Sequence, residues 1–400
     1  MRRHVAVPAL QGNLEDLVVW FANSTWYGPA GTDRHMAEAL SRHTPVLYVE
    51  PPVSVLTALR NPAFAATLAE RPRLEVLGPR LARAVTRVQP GMHRPVVQRL
   101  TRPLVERGTR AAVRKLYGRT GTVAGIVSCR VTPLWRVLPA RRRLFFVTDD
   151  LPAGAELLGE SRERLLRDEA RTMRGADAVA VVSPGLRDRY GEQGHQAELV
   201  PNGCLPEAYT EVEQAPTPAD VDLPGPVAGF VGHLNHRIDL ELLEAVAATG
   251  ASLLLVGPAV PGYRTERFEA LCARPNVRWV GAKPFDELPG YLRLMRTGLL
   301  PYADTAFNRA SFPLKTLEYL AAGRSVVATP LPANEWLGTS LITEASGPAA
   351  FAAATTAALA TPPSDELAVR RRKFAAGHSW ERRAAMLAGL LGVSARASTS

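Results

Sequence analysis

Short hydrophobic runs that end in Gly, Pro, Ser or Asp recur along the whole chain, and helix-length segments separate them. Most of the runs are continuous rather than alternating, which is typical of parallel strands buried on both faces of a sheet. The runs lie at residues 17–24, 45–52, 73–79, 122–130, 143–150, 177–185, 197–203, 226–233, 251–258, 276–282, 298–302, 325–330 and 341–345. The helix-length segments lie at residues 32–41, 96–116, 156–174, 239–249, 263–274, 286–296 and 311–322.

This strand–helix alternation occurs twice, so it predicts two doubly wound α/β domains, each with a parallel sheet. A stretch with five prolines and no strand or helix periodicity, residues 204–226, divides them. Right-handed crossovers place the functional loops at the carboxyl ends of the strands. We expect a first domain at 1–205, a linker at 206–226, a second domain at 227–377, a helix at 378–392 with Ser379 as its N-cap, and a disordered tail at 393–400.

The composition is that of a soluble globular protein, with 46% hydrophobic and 22% charged residues. No apolar run reaches the length of about 18 residues that a membrane-spanning helix needs. The N-terminal residues also lack the continuous apolar core of a secretory signal. The three cysteines, Cys129, Cys204 and Cys272, are far apart in sequence, which argues against a disulfide framework and a cysteine-based zinc site. We therefore expect a cytoplasmic protein.

The positive charge is concentrated in one segment. The formal net charge is +10, and residues 80–119 contain eleven Arg and Lys against the single acid Glu106, which also gives +10. Such a segment indicates an anionic membrane surface, a phosphate-bearing lipid or a nucleic acid as partner. The alternative is a solvated helix face in an arginine-rich chain. Tyr117 is the one aromatic residue of the segment, so base stacking is poorly supported and nucleic acid is not expected.

A glycine-rich turn follows the first strand. Residues 28–32, Gly-Pro-Ala-Gly-Thr, connect the run at 17–24 to the helix at 32–41. The backbone N–H groups of such a helix N-terminus bind phosphate or carboxylate groups, which makes Gly31 and Thr32 candidate binding residues. The alternative is a tight turn without a ligand, and the spacing matches neither the dinucleotide-binding fingerprint nor a Walker loop.

The first strand of the second domain ends in a second candidate loop, residues 232–239, Gly-His-Leu-Asn-His-Arg-Ile-Asp. Gly232 allows close approach to the backbone, and Arg237 has a forked guanidinium that suits phosphate. His233 and His236 are conceivable metal ligands, but no carboxylate or cysteine with suitable spacing accompanies them. We therefore expect no metal site there.

The strongest signal is the segment 311–323, which is followed by the strand at 325–330. Ser311 suits the N-cap, Pro313 the first turn and Gly323 the C-terminal stop of one helix. Lys315 and Glu318 are three residues apart and so share a helix face. A cation and a carboxylate near a helix N-terminus suit a nucleotide sugar, since the cation meets the diphosphate and the carboxylate accepts both ribose hydroxyls. The alternative is a surface ion pair.

These residues resemble a known family. FPLKTLEYLAAGRSVVAT is similar to the donor-site helix and strand of glycosyltransferase family 4-like enzymes with the GT-B fold, closest to those that build cell-envelope or capsule polysaccharides. VVWFANSTWYGPAGTDRHMAEAL, ADAVAVVSPGL and LVPNG resemble the acceptor domain, and GFVGHLNHRIDLELL, LLLVGP and NVRWVGAKPFDELPGYL the donor domain. The resemblance covers about residues 17–390. It implies two Rossmann-like domains and a C-terminal helix, near Trp380, that crosses back to the first.

The resemblance also implies a role for each matched position. Glu318 binds the donor ribose, Lys315 and Arg237 neutralise the diphosphate as it leaves, and the backbone around Gly257 and Gly281 lines the nucleobase pocket.

The sequence departs from the family at one position. Many of these enzymes carry two glutamates separated by seven residues; the second matches Glu318, and the first falls at Ala310, which has no carboxylate. Asn308 and Ser311 are nearby candidates for polar contacts to the sugar. Stabilisation of the leaving group is electrostatic, so it relies on the two cations and a helix N-terminus rather than on that acid.

Two adjacent carboxylates, Asp149 and Asp150, close the run at 143–150. Neighbouring side chains of an extended strand point to opposite faces, so joint metal chelation is not expected. Asp150 is a candidate base toward the acceptor hydroxyl, and the alternative is that it caps the next helix. With Gly31 and Thr32 it makes up the predicted acceptor side.

We expect a glycosyltransferase that moves a sugar from a nucleoside-diphosphate sugar to an acceptor hydroxyl, and the resemblance implies retention and cell-surface polysaccharide or glycolipid synthesis. The nucleotide sugar is a co-substrate, and no cofactor or metal is expected. Expected partners are the nucleotide sugar, a lipid-linked or saccharide acceptor and, through residues 80–119, an anionic membrane. Alternatives are a nucleotide-sugar epimerase of the same fold, a natural-product glycosyltransferase and a non-catalytic membrane- or nucleic-acid-binding relative.

Overall fold

The structure is a computed structural model that describes residues 8–28, 30–54, 72–88, 95–131 and 134–393. The chain divides into two compact units. The first comprises Met1–Val182, Tyr190–Val200 and Arg383–Ser400, and the second comprises Ser183–Arg189 and Pro201–Arg382. Each unit has its own parallel sheet with helices, which confirms the predicted fold class of two doubly wound α/β units.

The first unit is built on an eight-stranded sheet. Its described strands, with one separate short pair, are β1 (Val18–Phe21), β2 (Val46–Val49), β3 (Val53–Ser54), β4 (Leu74–Gly78), β5 (Leu81–Ala84), β6 (Arg87–Val88), β7 (Val123–Ser128), β8 (Ala140–Val147), β9 (Ala178–Val181) and β10 (Glu198–Leu199). The order is β10-β9-β8-β7-β1-β2-β5-β4, and β3 pairs with β6. All neighbours are parallel except β4 and β5. Every residue of β1, β2 and β7 is buried, which explains why these runs are continuously hydrophobic.

Up to residue 192, the helices in the described part of the chain are α1 (Thr32–Leu40), α2 (Pro95–Tyr117), α3 (Ala155–Leu158), α4 (Arg162–Arg174) and α5 (Pro184–Glu192). The predicted helix at 156–174 is divided in two. Gly159, with φ of 64°, ends α3 in the left-handed conformation. Ser161 then opens α4, because its Oγ accepts a hydrogen bond from the backbone N–H of Arg164 at 3.4 Å.

Strand β5 was not predicted, and it contains a buried arginine. The charge pattern assigns Arg83 to a basic surface, but only 2% of its side chain is exposed. Its Nη1 donates to Glu50 Oε1 at 3.2 Å, and its Nε donates to Glu75 Oε2 at 2.7 Å. Burial opposes the charge, yet the two carboxylates raise the pKa of Arg83 on balance. The arginine is tolerated in the sheet because its charge and donors are matched.

The second unit is built on a six-stranded sheet that is parallel throughout. Its strands are β11 (Val227–Val231), β12 (Ser252–Val256), β13 (Val277–Trp279), β14 (Met295–Leu300), β15 (Ser325–Ala328) and β16 (Ile342–Glu344), in the order β13-β12-β11-β14-β15-β16. The helices are α6 (Leu240–Ala248), α7 (Glu266–Cys272), α8 (Leu288–Leu294), α9 (Ala306–Arg309), α10 (Leu314–Ala321), α11 (Pro332–Leu337), α12 (Pro348–Ala360), α13 (Asp365–Ala376) and α14 (Trp380–Leu391). The division between the two units falls inside α14.

Helix α10 is fixed to its sheet by Tyr319. The Tyr319 ring is fully buried, and its hydroxyl accepts a hydrogen bond from the backbone N–H of Val231 at 2.8 Å. A Cβ at Gly298 in β14 would lie 2.3 Å from this ring, so the glycine makes room for the tyrosine. Gly323, with φ of 76°, follows the helix and confirms the predicted stop.

The range predicted as a linker belongs to the second unit and contains two 3-10 turns, Pro206–Tyr209 and Val212–Gln214. Ion pairs hold it to that unit: Lys283 Nζ lies 2.5 Å from Asp220 Oδ2, and Arg324 Nη2 lies 2.6 Å from Glu213 Oε1. Ser379 Oγ accepts from a backbone N–H of α14 at 3.4 Å, which confirms this N-cap. Residues 394–400 of the predicted tail lie outside the described residues.

The carboxyl ends of β11 and β12 meet backbone to backbone at Gly257. Its φ is 136°, and a Cβ there would lie 1.9 Å from the carbonyl oxygen of Gly232. Only glycine fits this approach, because a side chain would face both a clash and a disfavoured φ.

We expect Gly257→Ala to lower the free energy of unfolding by at least about 2 kcal/mol, since strain and clash add. Gly250→Ala is the matched control: Gly250 also has a positive φ, 83°, but no atom lies within 4 Å of the added methyl group. The control should lose only about 1 kcal/mol. Urea unfolding measures both, and equal losses would contradict the steric argument.

The buried ion pairs of Arg83 give a second prediction. Arg83→Met should lower the free energy of unfolding by about 3 kcal/mol, because Glu50 would remain buried without its cation. Arg119→Met is the control, since Arg119 pairs with Glu15 at 2.6 Å with both side chains well exposed. No measurable change is expected for the control. A loss at Arg83 as small as that at Arg119 in urea unfolding would show that the buried network does not stabilise β5.

Candidate functional site

The candidate donor site lies where β11, β12 and β13 of the second unit end. Gly232, Gly257 and Gly281 follow these three strands. The Gly257 N–H donates to the Gly281 carbonyl at 2.7 Å, and the indole N–H of Trp279 donates to the Gly257 carbonyl at 2.9 Å. Parallel strands bring their carboxyl ends to one edge, so the three predicted glycines form a backbone edge without side chains.

Arg237 is held in the loop between β11 and α6. Its Nε donates to Asn308 Oδ1 at 2.9 Å, and Asn308 Nδ2 donates back to the Arg237 carbonyl at 2.9 Å. The guanidinium lies over the rings of Phe307 and Tyr302, at 4.9 and 5.3 Å from their centroids. No carboxylate in the described part of the chain pairs with Arg237. The arginine is therefore an oriented cation whose charge is available to an anion.

Lys315 and Glu318 meet on α10, as their spacing predicted. The Lys315 ammonium lies 2.5 Å from Glu318 Oε2, with 22% and 11% of the two side chains exposed. The pair is thus partly buried rather than on an open surface. Partial burial and the nearby charge of Lys315 lower the pKa of His233, a residue of the loop after β11.

Asn308 and Ser311 are buried in the turn that precedes α10. The side chain of Asn308 also donates to the carbonyl of Ala303 at 2.8 Å, so its polar atoms are bonded within the protein. Ser311 Oγ donates to the Asn308 carbonyl at 2.8 Å and does not cap α10, whose N-cap position is occupied by Pro313. Both residues support the position of Arg237 and this turn. Their contact with a sugar stays a prediction.

In the first unit, Gly31 is the N-cap residue of α1 and Thr32 its first residue. The turn after β1 is tied to this helix by Asp33, whose Oδ2 accepts from the backbone N–H of Asn23 at 2.5 Å and of Ser24 at 3.2 Å. Burial raises the pKa of the Asp33 carboxyl. The structure thus gives the N-terminus of α1 a firmly held turn.

Asp150 and Asp149 have different surroundings. Asp150 is buried, and its Oδ1 accepts from the backbone N–H of Ala153 at 3.0 Å, in the turn that precedes α3. The N-cap of α3 is Gly154, without a side-chain cap, so Asp150 holds this turn and does not cap the helix. Asp149 lines a small pocket of mixed polar and apolar side chains at the carboxyl edge of the first sheet. The pocket is lined by Asn23, Cys129, Val131, Phe145, Val147, Thr148, Asp149, Leu151 and Glu169.

The basic segment 80–119 is only partly a surface. Arg83 is buried, and Arg110 is bonded to Glu106 at 3.4 Å and to the carbonyl of Val137 at 2.8 Å. Arg94 and the side chains of Val96, Val97 and Leu100 lie outside the described residues. The exposed cations on and just after α2 are Arg102, Arg107, Arg114, Lys115 and Arg119.

Among the described residues, no helix has both the length and the apolar character to cross a bilayer. Within that same part of the chain, no group of three or more His, Cys, Asp and Glu is arranged to hold a metal ion. His236, one of the two conceivable ligands, packs its ring edge-on against Tyr263 at 6.3 Å between centroids.

Tyr209, which the sequence analysis did not single out, lies beside Glu318. It ends the turn Pro206–Tyr209, is 1% exposed, and its hydroxyl has no hydrogen-bond partner among the described residues. Burial raises the pKa of Tyr209, and so do the negative charge of Glu318 and the position of its carboxylate within hydrogen-bonding reach of the phenol. No periodicity or motif marks this tyrosine, because it lies in the proline-rich stretch.

Part of the second unit is similar to known glycosyltransferases. Residues 225–361, which include Arg237, Lys315 and Glu318, match the family model described as Glycosyl transferases group 1. A protein named as a teichuronic acid biosynthesis glycosyltransferase of Bacillus subtilis (strain 168) is 29% identical over 237 residues. That match covers 56% of this chain and 59% of the relative's length.

Solved structures resemble the whole chain. A sucrose-phosphate synthase from Thermosynechococcus elongatus has a TM-score of 0.68 at 19% identity, over 94% of this chain and 98% of its own. An E. coli trehalose-6-phosphate structure bound with UDP-2-fluoro glucose has a TM-score of 0.66, and Anabaena HepE in complex with UDP and glucose has one of 0.64. Both are 14% identical and cover 95% of this chain and 100% of their own. At such identities the likeness shows the fold. The chain therefore has the GT-B fold of two Rossmann-like domains, and within it residues 225–361 match the Glycosyl transferases group 1 model.

Proposed function

We propose that the chain is a glycosyltransferase that moves a sugar from a nucleoside-diphosphate sugar to an acceptor hydroxyl, with retention, in cell-wall polysaccharide or glycolipid synthesis. The observation that carries the proposal is the arrangement of Arg237, Lys315 and Glu318 at the carboxyl edge of the second sheet, inside the group 1 domain. The relative named for teichuronic acid biosynthesis supports the cell-wall assignment.

Negative charge develops on the diphosphate as the sugar leaves, so fixed cations that face it lower the barrier. Arg237 offers a fork that matches phosphate, and Lys315 offers a compact charge. Because Arg237 is oriented by the neutral amide of Asn308, its charge is not already balanced by a carboxylate. The proposal assigns neutralisation to these side chains and to the N-terminus of α10, without a divalent metal.

Glu318 is the proposed acceptor for the ribose hydroxyls, and the glycine edge of Gly232, Gly257 and Gly281 the proposed neighbour of the nucleobase and phosphates. The acceptor is proposed to bind in the first unit, near Gly31, Thr32 and the pocket beside Asp149 and Asp150. Retention rests on the resemblance, and a product of inverted anomeric configuration, detected by NMR, would contradict it.

The outward face of α2 supports a membrane-bound acceptor. Arg107, Arg114 and Lys115 are exposed there without a carboxylate partner among the described residues, and Leu104 is 44% exposed on the same helix. Near-surface cations each contribute about 1 kcal/mol to binding of anionic lipid. We therefore propose peripheral attachment to the cytoplasmic membrane and a lipid-linked or polysaccharide acceptor.

The donor site is tested by removing its two charged side chains. Lys315→Ala and Glu318→Ala should each weaken binding of a nucleoside diphosphate at least about tenfold, because each removes a charge-assisted contact. Isothermal titration with UDP, GDP and ADP measures this. The buffer contains EDTA, since the proposal needs no metal. Melting curves should show that both variants are still folded at the titration temperature.

Lys283→Ala is the matched control, since Lys283 is a lysine of the same unit that pairs with Asp220 at 2.5 Å. It should leave nucleotide affinity unchanged. Unaltered affinity in both Lys315→Ala and Glu318→Ala would overturn the donor assignment, and binding that appears only after magnesium replaces EDTA would overturn the metal-free reading.

The membrane proposal is tested by co-sedimentation with vesicles of phosphatidylglycerol or phosphatidylcholine at low and high salt. The wild type should bind the anionic vesicles at low salt only. A triple variant, Arg107→Glu with Arg114→Glu and Lys115→Glu, should lose this binding.

A control variant changes the charge equally on another helix of the same unit. Its substitutions are Arg162→Glu, Arg167→Glu and Arg174→Glu, at exposed arginines of α4. It should still bind. Equal loss of vesicle binding in both variants would show that net charge, and not the face of α2, controls binding. Failure of the wild type to bind either lipid would overturn the membrane hypothesis.

A further inference from the structure

The turn Pro206–Tyr209 ends in a buried tyrosine and packs against α10, the helix that contains Glu318. The start of this segment is firmly held, because the Cys204 N–H donates to the His378 carbonyl at 3.1 Å and the Trp380 N–H donates to the Cys204 carbonyl at 3.0 Å. The turn itself packs against α10 and α13. Tyr209 is therefore a fixed part of the wall around Glu318.

The phenol of Tyr209 lacks the partner that a buried hydroxyl normally has. Its ring packs edge-on against Phe285 at 6.4 Å between centroids, and the side chain is 1% exposed. A buried hydroxyl without an acceptor is unfavourable. We therefore expect the phenol to donate a hydrogen bond when a nearby acceptor is released from another partner. The carboxylate of Glu318 lies within hydrogen-bonding reach of this phenol, and its charge and its capacity to accept raise the Tyr209 pKa in addition to burial.

Glu318 is currently committed to another donor. The Lys315 ammonium lies 2.5 Å from Glu318 Oε2, and Glu318 is 8% exposed overall. A diphosphate carries more negative charge than one carboxylate and competes for the ammonium. When the ammonium turns to such a ligand, a carboxylate left without a donor in this partly buried place would be unfavourable.

We propose that Tyr209 is a positioning residue for Glu318. Its phenol donates to the carboxylate when an anionic ligand draws Lys315 away, and so holds Glu318 in place to accept the ribose hydroxyls. The inference rests on the proposed function of this site, and it extends that site to a residue of the preceding segment. From its sequence alone, this segment was predicted to be a linker.

The test is the nucleotide affinity of Tyr209→Phe, which removes only the hydroxyl. Isothermal titration uses UDP, GDP and ADP, and then the 2′,3′-dideoxy form of whichever binds most tightly. Tyr209→Phe should weaken the ribonucleotide five- to tenfold and the dideoxy form less than twofold, because only the ribose hydroxyls use Glu318. In the Glu318→Ala background the same substitution should change ribonucleotide affinity less than twofold.

Tyr263→Phe is the matched control. Tyr263 is another buried tyrosine of this unit whose hydroxyl has no hydrogen-bond partner among the described residues. It should leave affinity for both nucleotide forms unchanged. A general packing effect would instead weaken both forms in both backgrounds.

Two failures can be told apart. If the wild type binds none of the three nucleotides at millimolar concentration, the proposed function falls and the role of Tyr209 falls with it. If the wild type binds, but Tyr209→Phe weakens the ribonucleotide equally with and without Glu318, or not at all, only the positioning role of Tyr209 is overturned.

Discussion

The candidate donor site depends on how Tyr319 fixes α10 to the second sheet. Its hydroxyl accepts the N–H of Val231, the last residue of β11, and its ring fills the space that Gly298 leaves open in β14. Two neighbouring strands therefore set the height and rotation of α10. Lys315 and Glu318 lie on that helix. The contacts of Tyr319 therefore set their position beside the loop after β11.

The two cations of the site differ in whether a carboxylate neutralises their charge. Lys315 is paired with Glu318, whereas the guanidinium of Arg237 contacts the neutral amide of Asn308 and two aromatic rings. A neutral holder orients the guanidinium without reducing its attraction for an anion. The burial of Asn308 is then explained by its two hydrogen bonds to Arg237.

The sequence predicts the parts of the fold that have a strong local pattern. Continuous hydrophobic runs predicted the central strands, and the spacing of Lys315 and Glu318 predicted their pairing. Strand β5 escaped prediction because Arg83 interrupts its hydrophobic pattern, and its partners Glu50 and Glu75 are 33 and 8 residues away. Charge counted along a sequence cannot distinguish a solvated arginine from one matched inside a sheet.

The second gap in the sequence prediction concerns residues 206–226. Prolines and the lack of periodicity indicate a linker, yet these same residues form turns that pack on the second unit. Proline presets the backbone for such turns without needing helical or strand periodicity, so composition alone cannot separate a docked segment from a loose one.

A glycine outside residues 206–226 indicates that this segment packs on the second unit. Gly290 lies inside α8, where glycine costs about 1 kcal/mol relative to alanine. A Cβ at Gly290 would lie 2.4 Å from the carbonyl oxygen of Pro216. Glycine is therefore required here, despite its lower helix propensity, because the segment packs directly against α8. An unexplained glycine within a predicted helix is therefore a sequence signal for a backbone that packs across it. Here that backbone belongs to the same segment that delivers Tyr209 to Glu318.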